Sequence, residues 1–202
     1  MPPQPDAVAR RPSITERARR EQLIGLTIAL IAERGYAATS LASIAAAASI
    51  SKAAVLYHFS SKQAVIEAAY RSVLHDLTEH VGPRVEAAAG PGAAVEEYAA
   101  AMIGYMADHP DHVRVIAEAL GDPDDTGIGD SPGSAARWGA LAALIEHAQD
   151  AGEYRPADAR TQAIMINGAI DAVVAESLND DGYRLADAAD SVVDLVRRAA
   201  RG

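Results

Sequence analysis

Residues 39–62 read Thr-Ser-Leu-Ala-Ser-Ile-Ala-Ala-Ala-Ala-Ser-Ile-Ser-Lys-Ala-Ala-Val-Leu-Tyr-His-Phe-Ser-Ser-Lys. No other stretch limits the fold as much. Thr39 or Ser40 can cap a short helix whose Leu41, Ile44 and Ala45 face inward. Ala48-Ser49-Ile50 forms a three-residue turn. Ser51 can then cap a second short helix that carries Lys52, Tyr57 and His58, with Val55 and Phe59 completing a small core. Two short helices about a tight turn are the pattern of a helix-turn-helix.

The pattern lies beside the basic part of an acidic chain. Residues 1–60 hold Arg10, Arg11, Arg17, Arg19, Arg20, Arg34 and Lys52 against Asp6, Glu16, Glu21 and Glu33. Residues 61–202 hold 11 basic and 24 acidic side chains, and the whole chain carries a net charge of −10. The second helix of a helix-turn-helix is presented to the major groove of duplex DNA. Local sign, rather than whole-chain charge, governs contact with phosphates. An acidic body would repel DNA and so help to orient a basic head. That it simply keeps the protein soluble is an equal reading.

At 202 residues the chain is one large domain or a small head on a larger body. Half of it is apolar, Ala dominates, and aromatics make up 4%, a balance that favours an all-α fold. With no cysteine there can be no disulfide, thiolate metal site or Cys nucleophile, which suits a reducing cytosol. Met-Pro-Pro-Gln-Pro-Asp at the start lacks the apolar stretch of a signal peptide. No apolar run approaches the ~18 residues of a membrane helix. The expectation is a soluble cytoplasmic protein without a membrane partner.

Residues 1–12 are Pro-rich and polar, as a flexible arm would be. Arg10 and Arg11 fit a solvated tail better than a minor-groove contact. Ser13 and Glu16 form a capping box for the first helix, which carries Leu23, Ile24, Thr27, Ile28, Leu30 and Ile31 at helical spacing and closes at Gly35. Ser60 and Gln63 predict a second capping box, opening a helix that runs to about Val81, before Gly82-Pro83. Helices follow near 91–108 and 110–120, each with Pro in its first turn, then a loop over 121–133. Two long apolar helices near 134–151 and 157–178 and an amphipathic one near 187–200 make about nine in all.

Two motifs invite catalytic or metal readings and fail. His109-Pro110-Asp111-His112 has metal-ligand residue types, but the two histidines converge poorly and no second cluster completes a set. His109 is better read as capping a helix that begins with Pro. Gly129-Asp130-Ser131-Pro132-Gly133 matches the hydrolase nucleophile elbow, yet no strand precedes it, and Pro132 lacks the N–H that the oxyanion hole requires. Neither a phosphate-binding Gly-rich loop nor a dinucleotide fingerprint is present. The chain is not expected to be an enzyme or to carry a cofactor or metal.

From Arg19 to Ala69 the chain resembles the TetR family of transcriptional regulators. Leu23-Ile24, Ile28, Leu30-Ile31, Glu33-Arg34-Gly35-Tyr36, Ala38-Thr39-Ser40, Ile44-Ala45, Ile50-Ser51-Lys52, Tyr57-His58-Phe59 and Ser61-Lys62 carry the resemblance in order. Elsewhere the likeness is one of length and helix order. The resemblance implies that the 51–58 helix enters the major groove, with Lys52, Tyr57 and His58 as its main contacts, assisted by Ser51, Ala53 and Leu56. Thr39, Ser40 and Lys62 would meet phosphates. The sequence departs from the family at Ala53-Ala54, where Gly-Thr is frequent, at Leu56-Tyr57, where two aromatics are frequent, and at Ser49, where the turn often has Gly. Fewer polar groups on this face imply that apolar contact with thymine methyls carries part of the discrimination.

Tyr98, Met102, Tyr105 and His109 form a stripe on the 91–108 helix that suits either plain core or a small-molecule pocket. In a TetR-like fold this helix lines the ligand cavity. Trp138, Met165 and Asn167 are further candidates. The helices near 134–151 and 157–178, with small residues at Asn167-Gly168-Ala169-Ile170-Asp171-Ala172, fit a four-helix homodimer interface. The expected partition is an arm over 1–12, a helix-turn-helix domain over 13–60 and a ligand-binding and dimerisation domain over 61–202. Together these readings describe a ligand-responsive repressor that binds a pseudo-palindromic DNA operator as a homodimer and answers to an unidentified small-molecule effector. The rival is a helical small-molecule-binding or scaffold protein without sequence-specific DNA binding.

Overall fold

The computed structural model describes residues 13–121, 135–180 and 182–201, and every regular element among them is a helix. The arm expected over 1–12, and residues 122–133 of the expected loop with the Ser131 motif, lie outside the described residues. Nine helices are described: α1 Ile14–Ala38, α2 Leu41–Ala47, α3 Lys52–His58, α4 Lys62–Glu86, α5 Pro91–Asp108, α6 Pro110–Gly121, α7 Ala135–Asp150, α8 Ala159–Asn179 and α9 Leu185–Arg201.

Helix α1 starts where its capping box predicts. The Glu16 N–H donates to Ser13 Oγ at 3.2 Å, and the Ser13 N–H donates back to the Glu16 carboxylate. It breaks at Gly35 (φ 79°, ψ 168°), backbone that is nearly restricted to glycine. The helical turn resumes through Ala38. Helices α2 and α3, of seven residues each, are too short to persist alone in water. They hold because Ile44, Ala45, Val55 and Phe59 bury against Leu23, Ile28 and Ile31 of α1. Their axes turn through 102° about Ser49, which takes a positive φ of 55°.

Two expectations about α4 are corrected. Its N-cap is Ser61, whose Oγ accepts from the Ala64 N–H at 3.0 Å, and not Ser60. Gln63 instead accepts from the Tyr36 hydroxyl at 3.1 Å. The helix also runs through Gly82-Pro83 to Glu86. Pro83 forfeits one backbone bond, but Val81 is buried and Val85 packs on the body core, so continuing the helix covers more apolar surface than stopping would.

The core is divided. Val65, Ile66, Ala69, Tyr70 and Val73 of α4 pack with α1–α3, whereas Leu77 and Val81 pack with α5 and α7–α9. The packing seam therefore falls inside α4, about four turns beyond residue 60. Helix α6 straddles it as well: Val115 and Ala119 belong to the head core, Val113 to the body core, and Ile116 touches both. Among the described residues, no single helix is long and apolar enough to cross a membrane.

Candidate functional site

Val55 and Phe59 are buried and anchor α3, so its opposite side is forced outward. Lys52, Ala53, Leu56 and Tyr57, spaced i, i+1, i+4 and i+5, share that exposed side. Tyr57 is 73% exposed and Leu56 41%, so the outward side of α3 joins an aromatic and an aliphatic group to the Lys52 ammonium. His58 is half-buried, its ring edge-on to Tyr57 at 5.1 Å. The Arg20 guanidinium lies 4.1 Å from the centre of the Phe59 ring and donates to the His58 carbonyl, fixing the C-terminal end of α3 to α1. Sequence reading counted Arg20 as basic charge but gave it no such part, because the contact spans 38 residues. The Tyr57 hydroxyl donates to Glu16 at 3.1 Å, a bond that a DNA contact would exchange.

The flanking candidates divide by accessibility. Ser51 and Ser40 are exposed N-caps, accepting from the Ala54 and Ser43 N–H groups at 3.1 Å each. Thr39 is placed differently from the expected phosphate contact. It is 1% exposed, and its hydroxyl donates to the Gly35 carbonyl at 2.9 Å, so it staples the broken end of α1. Lys62 is half-buried; its ammonium donates to the Tyr36 carbonyl at 3.0 Å and sits 4.3 Å from the centre of the Tyr36 ring.

In the body, α4, α5, α6, α7 and α8 line a cavity of about 790 Å³, within the range of small-molecule pockets. Leu74, Leu77, Val81 and Val85 of α4 form one wall, Met102 and Met106 of α5 another, and Val113 and Ile116 of α6 close the side towards the head. Of the expected ligand residues, Tyr98, Met102 and Asn167 line it, and the Tyr98 hydroxyl donates to Asn167 Oδ1 at 3.2 Å. Tyr105, His109, Trp138 and Met165 do not line it. The lining follows the i, i+4 row Tyr98–Met102–Met106, which is inclined to the helix axis, rather than the i, i+7 row that leads to Tyr105. Met165 is 65% exposed on the other side of α8, and Trp138 is half-buried with Arg160 over its ring. Met106, one turn beyond Met102, was the overlooked signal.

Tyr105 and His109 belong to a separate cluster. The Tyr105 hydroxyl shares a 2.7 Å hydrogen bond with His112 Nδ1, and its ring lies 4.3 Å from that of His109 and 5.3 Å from that of His80. Burial, reinforced by Asp76, pushes the Tyr105 hydroxyl up to about 12. Burial, then the neighbouring His109, lowers the His112 pKa against the opposing pull of Asp76 and Asp111. The His109 carbonyl accepts from the His112 and Val113 N–H groups, so this residue does join α5 to α6. Among the described residues no group of His, Asp or Glu is arranged to hold a metal ion.

An outward apolar and basic helix held on a three-helix head, beside a helical body with a cavity, is an arrangement that would let the head meet a nucleic-acid groove while the body holds a small molecule. Residues 23–69 match the family described as bacterial regulatory proteins, tetR family. The HTH-type transcriptional regulator BetI of Paraburkholderia xenovorans (strain LB400) is 44% identical over 70 residues, 35% of this chain and 36% of that relative. The chain thus matches about a third of the length of its curated relatives. In solved structures the whole fold recurs. The fatty acid degradation regulator FadR from Bacillus halodurans superposes with a TM-score of 0.79 at 18% identity, over 93% of this chain and 97% of that one. FadR from Bacillus subtilis, in complex with stearoyl-CoA, gives 0.77 at 20% identity over 87% and 96%. The head of this chain is therefore similar in sequence to the tetR family over residues 23–69, and its overall fold is shared with the FadR structures.

Proposed function

We propose that the protein is a ligand-responsive transcriptional repressor that binds a pseudo-palindromic operator as a homodimer. The observation that carries this reading is the exposed set Lys52, Ala53, Leu56 and Tyr57 on a helix anchored from behind by Val55 and Phe59. Lys52 would contact phosphate or a base edge. Leu56 and Tyr57 would meet thymine methyls, and Ser40, Ser51 and Lys62 would flank them on the backbone. Ala53 leaves room for close approach to the groove.

The body supports an effector role. Its cavity is bounded by α6, which also packs into the head core through Val115 and Ala119. A molecule that displaces Val113 or Ile116 would shift α6 against α1 and change the distance between the two recognition helices of a dimer. A coupling of ~1–3 kcal/mol suffices to change operator affinity about 5- to 150-fold. The stearoyl-CoA in complex with the similarly folded Bacillus subtilis FadR supports an effector with apolar character. Such a regulator acts where the DNA is, in the cytoplasm.

The test is selection of bound fragments from genomic DNA, followed by gel shifts in rising salt. A DNA binder of this kind weakens steeply with salt, because bound phosphates release counterions. Fragments that share no inverted repeat, or binding indifferent to both salt and Tyr57→Ala, would overturn the assignment.

A further inference from the structure

Helix α3 has seven residues, so its aim depends on how its last turn is held. The Phe59 N–H closes that turn by donating to the Val55 carbonyl at 2.9 Å. Carbonyls at the end of a helix have no partner within it and must find donors elsewhere. For His58 the donor comes from α1, 38 residues away in the chain: the Arg20 guanidinium donates to its carbonyl. The same guanidinium lies 4.1 Å from the centre of the buried Phe59 ring. One half-buried side chain thus holds two consecutive residues, as a hydrogen-bond donor to the first and a cation over the ring of the second. Arg20 follows Glu16 by four residues on α1 and precedes the fully buried Leu23 by three, which puts all three on one side of that helix. Glu16 and Arg20 therefore take hold of Tyr57 and His58 from successive turns. The two holds differ. The bond from the Tyr57 hydroxyl to Glu16 is exposed, and a DNA contact would exchange it. The Arg20 contact lies against Phe59 on the inward side, where a duplex in front of α3 leaves it in place.

Taking α3 as the recognition helix, as proposed above, we infer that Arg20 is its positioning residue: it sets operator selectivity by fixing the angle of the last turn, without touching DNA. Leu56 and Tyr57 share that turn with His58, and both are exposed. Sequence is read by hydrogen bonds and apolar contacts at base edges, and such contacts tolerate a rotation of only about 10–20° in the element that carries them. Attraction to phosphates depends on charge and tolerates far more. A last turn released from α1 therefore gives up affinity for the operator and keeps its non-specific binding. Neither Val55 nor the rest of the head core can replace the grip, because burial of Val55 fixes which side of α3 faces inward but bonds nothing at its end.

Two duplexes of equal length and composition test this with the full chain: one carries the inverted repeat recovered from genomic DNA, the other the same bases scrambled. Arg20→Met keeps an apolar stem over Phe59 and removes both donor and charge. It should lose about tenfold or more on the repeat, the scale of one base contact, while staying within about threefold of the parent on the scrambled duplex. The salt slope on the repeat should match the parent's, whereas a lost phosphate contact would lower it by about 0.9 for each head. In a Tyr57→Ala background the penalty of Arg20→Met should shrink to about threefold or less, because the contact being positioned is already gone. Arg20→Gln serves if Arg20→Met loses helix content, with the same pattern expected. Equal losses on both duplexes with a reduced slope would make Arg20 a phosphate contact and overturn the inference. So would a penalty of the same size with and without Tyr57, or a variant that keeps full affinity for the repeat. A parent that binds both duplexes alike would remove the operator-binding reading, and this inference with it.

Discussion

Ser49 and Gly35 occupy related positions in the head and solve them differently. Gly35 was legible in the sequence because a helix that closes without a polar cap commonly uses a residue of positive φ, and glycine tolerates it. Its ψ of 168° and the nearby Glu118 carboxylate, which an added Cβ would meet at 3.3 Å, were not legible, since the partner lies 83 residues away. Thr39 escaped for the same reason. Its hydroxyl has two possible directions, and the Gly35 carbonyl that draws it inward exists only because the helix breaks there. Ser49 holds φ 55° with a Cβ, in the turn between α2 and α3. The left-handed region costs an L-residue roughly 1–2 kcal/mol, part of which glycine gives back through its freer unfolded chain. Ser49→Gly should therefore raise stability by about 0.5–1 kcal/mol in urea unfolding, with the recognition face unchanged. A loss of stability would mean that the serine side chain holds the turn.

At the scale of elements, α6 does what no sequence pattern announced. Its period is that of an ordinary amphipathic helix, yet its apolar residues divide between two cores because two bodies press on it from different sides. Glu118, one residue past the cavity-lining Ala117, accepts the Tyr36 N–H at 3.0 Å, at the point where α1 is broken. Removing that carboxylate with Glu118→Ala should leave operator binding within a few-fold of the parent while reducing the effector-driven loss of affinity. Gel shifts with and without effector measure both, and an undiminished response would place the coupling elsewhere, along α4. The α4–α5–α6 junction makes a second prediction, about pH. Tyr105 ionises in the unfolded chain near 10 but in the folded one near 12, so unfolding gains from alkali and stability falls as pH rises from 10 towards 12. His112 is lowered, so the unfolded chain binds the proton more readily and stability falls as pH drops below 6.5. Tyr105→Phe should lose stability near neutrality, with its bond to His112 Nδ1, but should lose less on going from about pH 9 to about pH 11. Urea midpoints at the two pH values decide it; equal alkaline losses in both proteins would assign the effect to other groups.

For the molecule as a whole, the head could be read from its sequence because its constraints are local: caps, a three-residue turn and a handful of core positions within about fifty residues. The body resisted because its site depends on which side of each long helix turns inward, and Ala-rich helices with weak contrast between sides leave that to tertiary packing. Helix α8 shows both outcomes. Asn167 and Ile170 face the cavity, whereas Ile164 and Met165 are left exposed in the single chain at 48% and 65%. In the proposed homodimer, that exposed apolar pair, one turn from Gly168, would be the side through which two copies join, with α7 alongside. A dimer matters for affinity more than for fold, because the second recognition helix then binds as an intramolecular event, worth about 10²–10⁴ in avidity when its spacing suits the operator. Met165→Glu places a charge at this surface but touches neither the cavity lining nor the head. The expected result is a folded monomer by light scattering, unchanged in helix content and weakened on the full operator by that avidity factor, while its binding to an isolated half-site stays near the parent's. A variant that remains dimeric would move the interface away from α8. A monomer that keeps full operator affinity would mean that each head recognises its half-site alone, and the spacing mechanism would fail with it.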